Sequence, residues 1–154
     1  MEKPDLIYIS NTRIPSKKAN TYQSFCMCEA FSRFFGNTYL WYPNRHNPDN
    51  DIANVDPFDF YYIRPVFKLV SFPTLSKLPV IDKSSWFWYR ITSIIFSVTI
   101  ASVLLISQLF RSRRIIFVRD VGVLKSTSFL KKIKLLKTVC FNECNKIWAF
   151  YYES

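Results

Sequence analysis

The sequence predicts an α/β fold whose strands form a parallel sheet, in one domain spanning residues 1–154. Short runs of apolar and β-branched residues alternate along the chain with segments whose apolar residues recur every three or four positions. Such alternation is typical of βαβ units, in which a helix connects two parallel strands. The chain has 154 residues and is 49% hydrophobic, so it is long enough to bury a core and too apolar to be disordered.

Residues 6–42 carry the clearest β–α–β pattern. Leu6–Ile9 is a short apolar run that predicts a buried first strand followed by a loop. From Ala19 the apolar residues take helical spacing, and Gly36-Asn37 is a typical helix stop. Thr38–Tyr42 then predicts a second strand, parallel to the first.

The rest of the chain predicts further strands and helices. The stretch from Pro43 to Pro57 is rich in Asn, Asp and Pro and is interpreted as a loop. Two strand-like pieces lie near Pro65, and because proline interrupts strand hydrogen bonding we expect them at the edge of the sheet or beyond it. The remaining predicted elements are these strand-like pieces at Phe58–Ile63 and Val66–Val70, a strand at Ile115–Val118, a basic helix at Leu124–Leu136 and a final strand at Thr138–Phe141.

Residues 86–110 are the most hydrophobic segment and predict one very hydrophobic helix. Residues 91–110 contain no charged residue, and arginines flank them on both sides. A run of about 20 apolar residues can span a bilayer, but seven of these positions are Ser, Thr or Gln. The favoured interpretation is a helix packed on the sheet, with a membrane span and a helix lying on the membrane surface as alternatives. The stripe expected to pack on the sheet consists of Ile91, Ile94, Val98, Ala101, Leu105 and Leu109.

The positive charge is concentrated in the second half of the chain. The formal net charge is +10, yet residues 83–154 alone carry twelve Lys or Arg against three Asp or Glu, a net of +9. Such a region attracts phosphate groups, on an anionic membrane surface or on a phosphorylated substrate. Nucleic acid is not expected as a partner, because the aromatic residues fall at core-like spacings and no recognised DNA- or RNA-binding motif is present.

The composition disfavours several kinds of chemistry. The two glycines, Gly36 and Gly122, lie too far apart for a glycine-rich phosphate-binding loop. The single histidine and four cysteines lack the spacing of a metal site, so we expect no metal and interpret the cysteines as small buried hydrophobes in a reducing compartment. The first residues contain no apolar leader. This predicts a cytoplasmic protein, peripheral to the membrane, or a single-pass membrane protein if residues 91–110 span it.

The loop between the first strand and the first helix is the strongest candidate for a binding site. It leaves the carboxyl end of a buried strand, which is where ligands bind in open α/β sheets. Arg13, Lys17 and Lys18 lie just before the helix, whose N-terminus favours negative charge, and either Ser16 or Asn20 is expected to cap it. This pattern favours an anionic or phosphate-bearing ligand, with an ordinary capped helix and solvated charges as the alternative interpretation.

Three sequence motifs resemble one known protein family. Residues 11–23 follow the pattern N-x-R-x-P-S-x-K-A-N-x-x-Q and are followed by Cys28-Glu29-Ala30-Phe31, and a weaker similarity occurs around Asp56-Pro57-Phe58. Residues 115–120, with the sequence IIFVRD, complete the set. Together the motifs resemble the N-terminal, acceptor-side domain of family 4 glycosyltransferases of the GT-B type, over about residues 5–145.

The resemblance implies a Rossmann-like sheet with helices on both faces, forming one half of a two-domain enzyme. Such enzymes transfer a sugar from a nucleotide-sugar donor to an acceptor, here a glycan or a lipid-linked sugar, in the cleft between the halves. By this resemblance Asp120 would be catalytic, as a base or by orienting an acceptor hydroxyl, although a salt bridge to Arg119 or another cation is an equally valid interpretation. The residues that the resemblance assigns to substrate binding are Asn11, Arg13, Pro15, Ser16, Lys18, Asn20 and Arg119.

Two departures from the family pattern limit what the resemblance implies about activity. Asn142 and Cys144 stand where the family has a Glu and a His, so a group that titrates near neutral pH is missing. The glutamate pair of the donor-binding domain is missing too, since no two glutamates here are eight residues apart. We therefore expect a truncated N-terminal domain that binds no cofactor, is inactive alone and needs a C-terminal domain or partner chain for the nucleotide-sugar donor. The alternative is a small basic protein anchored by residues 91–110, with no enzymatic role.

Overall fold

The structure, a computed structural model, describes residues 3–45, 47, 49–74, 86–107, 114–120, 123 and 139–142. Strands and helices alternate along this part of the chain. The elements are β1 (Asp5–Ile9), α1 (Ala19–Phe31), β2 (Thr38–Asn44), α2 (Asn50–Ala53), α3 (Pro57–Tyr61), β3 (Lys68–Pro73), α4 (Trp86–Ser107), β4 (Arg114–Val118) and β5 (Val139–Asn142). The strands predicted at 6–9, 38–42, 115–118 and 138–141 are confirmed, with ends shifted by at most two residues. The predicted basic helix at 124–136 lies outside the described residues.

The described strands form a five-stranded sheet in the order β3-β2-β1-β4-β5. All four strand pairs are parallel, with Leu6 of β1 opposite both Thr38 of β2 and Ile115 of β4. From the central strand β1 the chain adds β2 and then β3 on one side. After α4 it adds β4 and then β5 on the other side of β1. The fold is therefore a parallel, Rossmann-like α/β sheet, as predicted, and the strand order changes direction between β1 and β4.

One face of the sheet is covered by α1 and α3. Side chains alternate along each strand, so Tyr8 points to this face while its neighbours Ile7 and Ile9 point to the other. Phe25 of α1 is fully buried, with its ring centroid 4.5 Å from that of Tyr61 in α3. Burial also raises the pKa of the Cys28 thiol, which keeps the thiol protonated and unreactive. Cys28 is thus the small buried hydrophobe that the sequence predicts.

The opposite face of the sheet is covered by α4. Phe96, Ile100 and Leu104 follow one another at four-residue spacing along the helix and are almost completely buried. They pack in one cluster with strand residues that include Ile9 and Val118. Helices therefore lie on both faces of the sheet, as expected for a doubly wound α/β fold.

The face of α4 that packs on the sheet is not the predicted one. The predicted stripe includes Ile94 and Val98, but these side chains are 61% and 58% exposed. The helix is apolar on almost every side, so hydrophobic spacing alone could not tell which side the sheet would cover. Phe96 is the largest of the fully buried side chains of the helix and lies on the side that the sheet covers.

A helix is present over 86–107, within the range 86–110 predicted for the very hydrophobic helix, and residues 108–110 lie outside the described part of the chain. Among the described residues, no helix combines the length and the apolar content needed to cross a membrane. The structure thus gives no support to the membrane-spanning interpretation of residues 91–110.

The segment 58–63 was predicted to be strand-like, and this prediction is wrong, because Pro57–Tyr61 forms α3. The Asp56 carboxylate accepts hydrogen bonds from the backbone N–H groups of Phe58 (2.8 Å) and Asp59 (3.3 Å), which caps the helix. Tyr62 takes a left-handed conformation and ends it. The next strand, β3, lies at the edge of the described sheet, as expected for the second strand-like piece.

The turn after α1 explains one of the two glycines. Helix α1 begins at Ala19 as predicted, but ends at Phe31, before Gly36. The Gly36 N–H donates to the Pro4 carbonyl oxygen (3.0 Å). A Cβ atom at Gly36 would lie 2.9 Å from the Lys3 carbonyl oxygen, closer than a side chain tolerates. Glycine is needed here because the turn runs directly against the start of β1.

Candidate functional site

The candidate site lies at the carboxyl edge of the sheet, between the ends of β1 and β4. The strand order changes direction here, and open α/β sheets bind ligands in the crevice that forms at such a point. The backbone N–H of Arg119, just after β4, donates to the Ile9 carbonyl oxygen (3.1 Å). The N–H of Ser10, just after β1, donates to the Trp41 carbonyl oxygen of β2 (3.0 Å). The ends of three neighbouring strands are thus tied together.

Asn11 is the central polar residue of this edge. Its side chain is buried, and its amide nitrogen donates to Ser93 Oγ on α4 (2.9 Å) and to Asp120 Oδ2 after β4 (3.2 Å). Its amide oxygen accepts a hydrogen bond from Arg45 Nη2 after β2 (2.5 Å). One side chain therefore connects two strand ends and the N-terminal part of α4. We call Asn11, Arg45, Ser93 and Asp120 the crevice network.

Asp120 is held at a defined position in the crevice network. Its Oδ2 accepts from Asn11, and its Oδ1 accepts from the backbone N–H of Val123 (3.1 Å). The residue is half-buried, so the carboxylate is oriented by the protein while remaining partly accessible. A carboxylate held in this way can accept a hydrogen bond or a proton from a ligand hydroxyl.

Two members of the crevice network were missed at the sequence level. Arg45 Nη2 also lies 3.4 Å from Ser93 Oγ, and Arg45 Nη1 lies 3.5 Å from the Asn11 carbonyl oxygen. A signal for Arg45 existed, since it directly follows a strand whose carboxyl end lies at the same edge. Ser93 carried no comparable signal, because it is 82 residues from Asn11 along the chain.

Arg119 points away from the crevice network and contacts the start of α1. Its guanidinium donates to the Asn20 carbonyl oxygen (2.9 Å), to Ser24 Oγ (3.2 Å) and to Gln23 Oε1 (2.7 Å). The predicted site residues Arg119 and Asn20 are therefore in contact, but the contact is made by the backbone carbonyl of Asn20 and not by its side chain. In this arrangement Arg119 braces α1 against the end of β4.

Pro15 and Ser16 are held in place by Asn47, which follows β2, and by Tyr61 of α3. Ser16 N–H donates to the Tyr61 hydroxyl (2.7 Å), which in turn donates to the Ser16 carbonyl oxygen (2.8 Å). Burial raises the pKa of Tyr61, so the phenol stays protonated and can donate. Asn47 Nδ2 donates to the Pro15 carbonyl oxygen (3.0 Å), and the Ile14–Pro15 peptide bond is cis. Neither Tyr61 nor Asn47 was predicted to take part.

The prediction that Ser16 or Asn20 caps α1 is wrong. The capping position is occupied by Lys18, whose side chain makes no capping hydrogen bond. Ser16 Oγ accepts from the Lys18 N–H (3.3 Å), one step before the helix, and Asn20 already lies inside the first turn. The loop is anchored to Tyr61, and Ser16 lies two positions before the capping position.

Basic side chains surround the entrance to α1. Lys18 is exposed and Arg13 is half-buried. Lys17 Nζ lies 2.7 Å from Asp49 Oδ2, and this hydrogen bond raises the pKa of Lys17 and lowers the pKa of Asp49. Together with Arg45, these residues place positive charge along the loops that end at the carboxyl edge of the sheet.

In the part of the chain that the structure describes, no three His, Cys, Asp or Glu side chains come together in a group that could hold a metal ion. The backbone of Asn142 is opposite Val118, so this position lies at the same edge of the sheet as the crevice network. Cys144 and His46 lie outside the described residues.

No protein-family model matches this sequence, and no curated protein matches it. The candidate site is therefore defined by its own residues. They are the crevice network at the ends of β1, β2 and β4, and the loop from Arg13 to Lys18 beside it.

Proposed function

We propose that this chain is the acceptor-binding half of a GT-B type glycosyltransferase, and that the acceptor lies in the crevice between β1 and β4. The observation that carries the proposal is the crevice network, in which Asn11 joins Asp120 to Arg45 at the point where the strand order changes. Both motifs that carry the family resemblance lie at this edge, since residues 11–23 begin there, just after β1, and residues 115–120 end there, just after β4.

The chemistry available in the crevice suits a hydroxyl-bearing acceptor. The Asp120 carboxylate can accept the proton of the acceptor hydroxyl while that oxygen attacks the anomeric carbon of the donor sugar. The bond between that carbon and the phosphate oxygen breaks at the same time, and its electron pair leaves with the nucleotide. Asn11 keeps the carboxylate oriented for this step through its hydrogen bond to Oδ2.

The charge around the crevice suits an acceptor that carries phosphate, such as a lipid-linked sugar. A guanidinium donates several hydrogen bonds in a fixed geometry to phosphate oxygens, and Arg45 lies within the network itself. Lys18 lies exposed at the start of α1, where the helix dipole adds further positive potential. A second, donor-binding domain would supply the contacts to the nucleotide.

The proposal is tested by calorimetric titration of the full chain with inorganic pyrophosphate and with a short prenyl phosphate. We expect Arg45→Gln to weaken the binding of both probes by about tenfold, because it removes a charge-assisted donor. Arg64→Gln is the matched control, since Arg64 pairs with Glu29 near the other end of α1 (3.1 Å). It is expected to change binding by less than about twofold.

Asp120→Asn separates the two roles assigned to the crevice network, which are proton acceptance by Asp120 and phosphate binding by Arg45. We expect phosphate binding by this variant to be unchanged or stronger, because the substitution removes a negative charge that repels phosphate. Failure of the wild-type chain to bind either probe would contradict the proposal. So would an equal loss of affinity in the Arg45 and Arg64 variants.

A further inference from the structure

Helix α4 carries two rows of residues at four-residue spacing, on opposite sides. Phe96, Ile100 and Leu104 form the row that packs on the sheet. The other row faces outward and consists of Ile94, Val98, Ser102 and Ile106, of which the three aliphatic side chains are 61%, 58% and 60% exposed. We call this second row the outer face of α4. Phe87, 59% exposed, lies on the same side near the start of the helix.

The polar residues of α4 are found mostly on its inner side. Thr92 and Ser97 are buried, and Ser93 Oγ accepts hydrogen bonds from the Asn11 amide nitrogen and from Arg45 Nη2 within the crevice network. The Ser97 hydroxyl donates to the Ser93 carbonyl oxygen (2.8 Å), so its polar group is satisfied within the helix. A helix at the surface of a soluble domain normally has the opposite arrangement, with its polar side facing water. The outer face therefore has the chemistry of a surface that contacts an apolar partner.

The charge of the chain identifies the partner. Helix α4 contains no Asp or Glu, and Arg90 is exposed on its first turns. Residues 83–154, which include the helix, carry a net charge of +9, and the whole chain carries +10. A second copy of the chain would be repelled by this charge, whereas anionic lipid headgroups would be attracted by it.

We propose that the outer face of α4 docks on a membrane surface that contains anionic lipids. The helix lies in the plane of the interface, where its 22 residues extend over about 33 Å. The aliphatic side chains of the outer face enter the boundary between headgroups and acyl chains, and the exposed Arg90 contacts the headgroups. The docking surface is separate from the crevice network, so this inference does not rest on the proposed function.

The test is cosedimentation of the full chain with vesicles of phosphatidylcholine, with and without about one-third phosphatidylglycerol. We expect the wild-type chain to bind the anionic vesicles at least about tenfold more strongly than the neutral ones, and high salt to weaken this binding. The triple variant Ile94→Gln, Val98→Gln, Ile106→Gln should bind the anionic vesicles at least about tenfold more weakly than the wild type.

A matched control replaces three exposed apolar residues elsewhere. Phe34, Val55 and Val66 are 69%, 38% and 50% exposed and lie outside α4. Their joint replacement by Gln should leave vesicle binding within about twofold of the wild type. Circular dichroism checks that both triple variants are folded.

Amide hydrogen exchange of the unmodified chain provides a second measurement that needs no variant. Exchange over 86–107 should slow when anionic vesicles are added. No change in exchange, no binding by the wild type, or equal binding by the outer-face variant would each overturn the proposal. Equal binding to neutral vesicles would overturn the role of anionic lipid. A concentration-dependent dimer that the outer-face variant abolishes, without vesicle binding, would identify a second copy as the occupant instead.

Discussion

Helices α1 and α4 cover opposite faces of the same sheet but differ in the side chains that they expose on the side away from it. Helix α1 inserts Phe25 into a cluster of aromatic rings, and polar residues such as Gln23 occupy its exposed side. Helix α4 inserts Ile100 into the other core, yet exposes Val98 on its far side. The exposed side of α1 thus includes polar residues, whereas α4 exposes a row of aliphatic side chains, Ile94, Val98 and Ile106. Burial against the core therefore explains the row of α4 that packs on the sheet, but not its row of exposed aliphatic side chains.

The largest effect is expected in the α1 core. Phe25→Ala should lower the free energy of unfolding by about 4 kcal/mol, because it leaves a cavity among aromatic rings. The neighbouring centroids of Phe58, Tyr61 and Phe67 lie 5.8, 4.5 and 5.5 Å from that of Phe25. Urea unfolding measures the loss, and the exposed Phe34→Ala should change stability by less than about 0.5 kcal/mol. Equal losses in the two variants would show that α1 is not anchored as described.

Helix α4 allows the same comparison within one element. Ile100→Ala should cost about 3 kcal/mol, since the side chain is fully buried against the sheet. Ile94→Ala is the matched control on the outer face and should change the free energy of unfolding by less than about 0.5 kcal/mol. A larger loss at Ile94 than at Ile100 would mean that the predicted stripe, and not the observed one, packs on the sheet.

A smaller effect is expected where α3 holds the loop before α1. Tyr61→Phe removes both hydrogen bonds to the Ser16 backbone and should cost about 2 kcal/mol, measured by urea unfolding. Tyr22→Phe, at an exposed position of α1, is the control and should have little effect on the free energy of unfolding.

The Tyr61 variant also has an expected pH signature. Because burial raises the pKa of Tyr61, the contribution of its phenol is complete below the ordinary tyrosine pKa of about 10 and is lost at higher pH. The difference in unfolding free energy between wild type and Tyr61→Phe should therefore shrink above that pH. A difference that grows with pH would contradict the assigned hydrogen bonds.

The smallest effect is expected at the exposed pair of Lys17 and Asp49. The pKa of Lys17 is raised and that of Asp49 is lowered, so the pair stabilises the fold between the ordinary carboxyl and ammonium pKa values, about 4 and 10.4. Lys17→Gln should lower the melting temperature slightly at neutral pH and not at all in strong acid. Lys68→Gln on the edge strand provides a control with the same change of charge.

The order of strands and helices could be predicted from the sequence because it depends on local patterns. Leu6–Ile9 and Ile115–Val118 are apolar and β-branched enough to be strands in almost any α/β context, and both are. The segment around Phe58 was predicted wrongly because Asp56 and Pro57 start a helix. The side-chain cap and the proline at the first helical position were present in the sequence and outweighed the aromatic residues that follow.

The candidate site could be predicted only in part, because some of its residues are far apart along the chain. The loop after β1 and Asp120 after β4 both follow buried strands, so their place at the carboxyl edge was expected. Ser93 was not, since a serine in a helix gives no indication of what it faces. Its contact with Asn11 exists only because α4 crosses the sheet from β3 to β4.

The sequence by itself determined that this is a parallel α/β protein with a polar loop after its first strand and an excess of positive charge toward its end. Strand runs, helix spacing and charge are local properties, and they can be read without knowing which elements touch. Only the tertiary structure decided which side of α4 is buried and which residues meet Asn11. Both depend on packing between segments that are far apart along the chain. Because α4 has apolar residues on almost every side, the sheet against which it packs decides which side is buried.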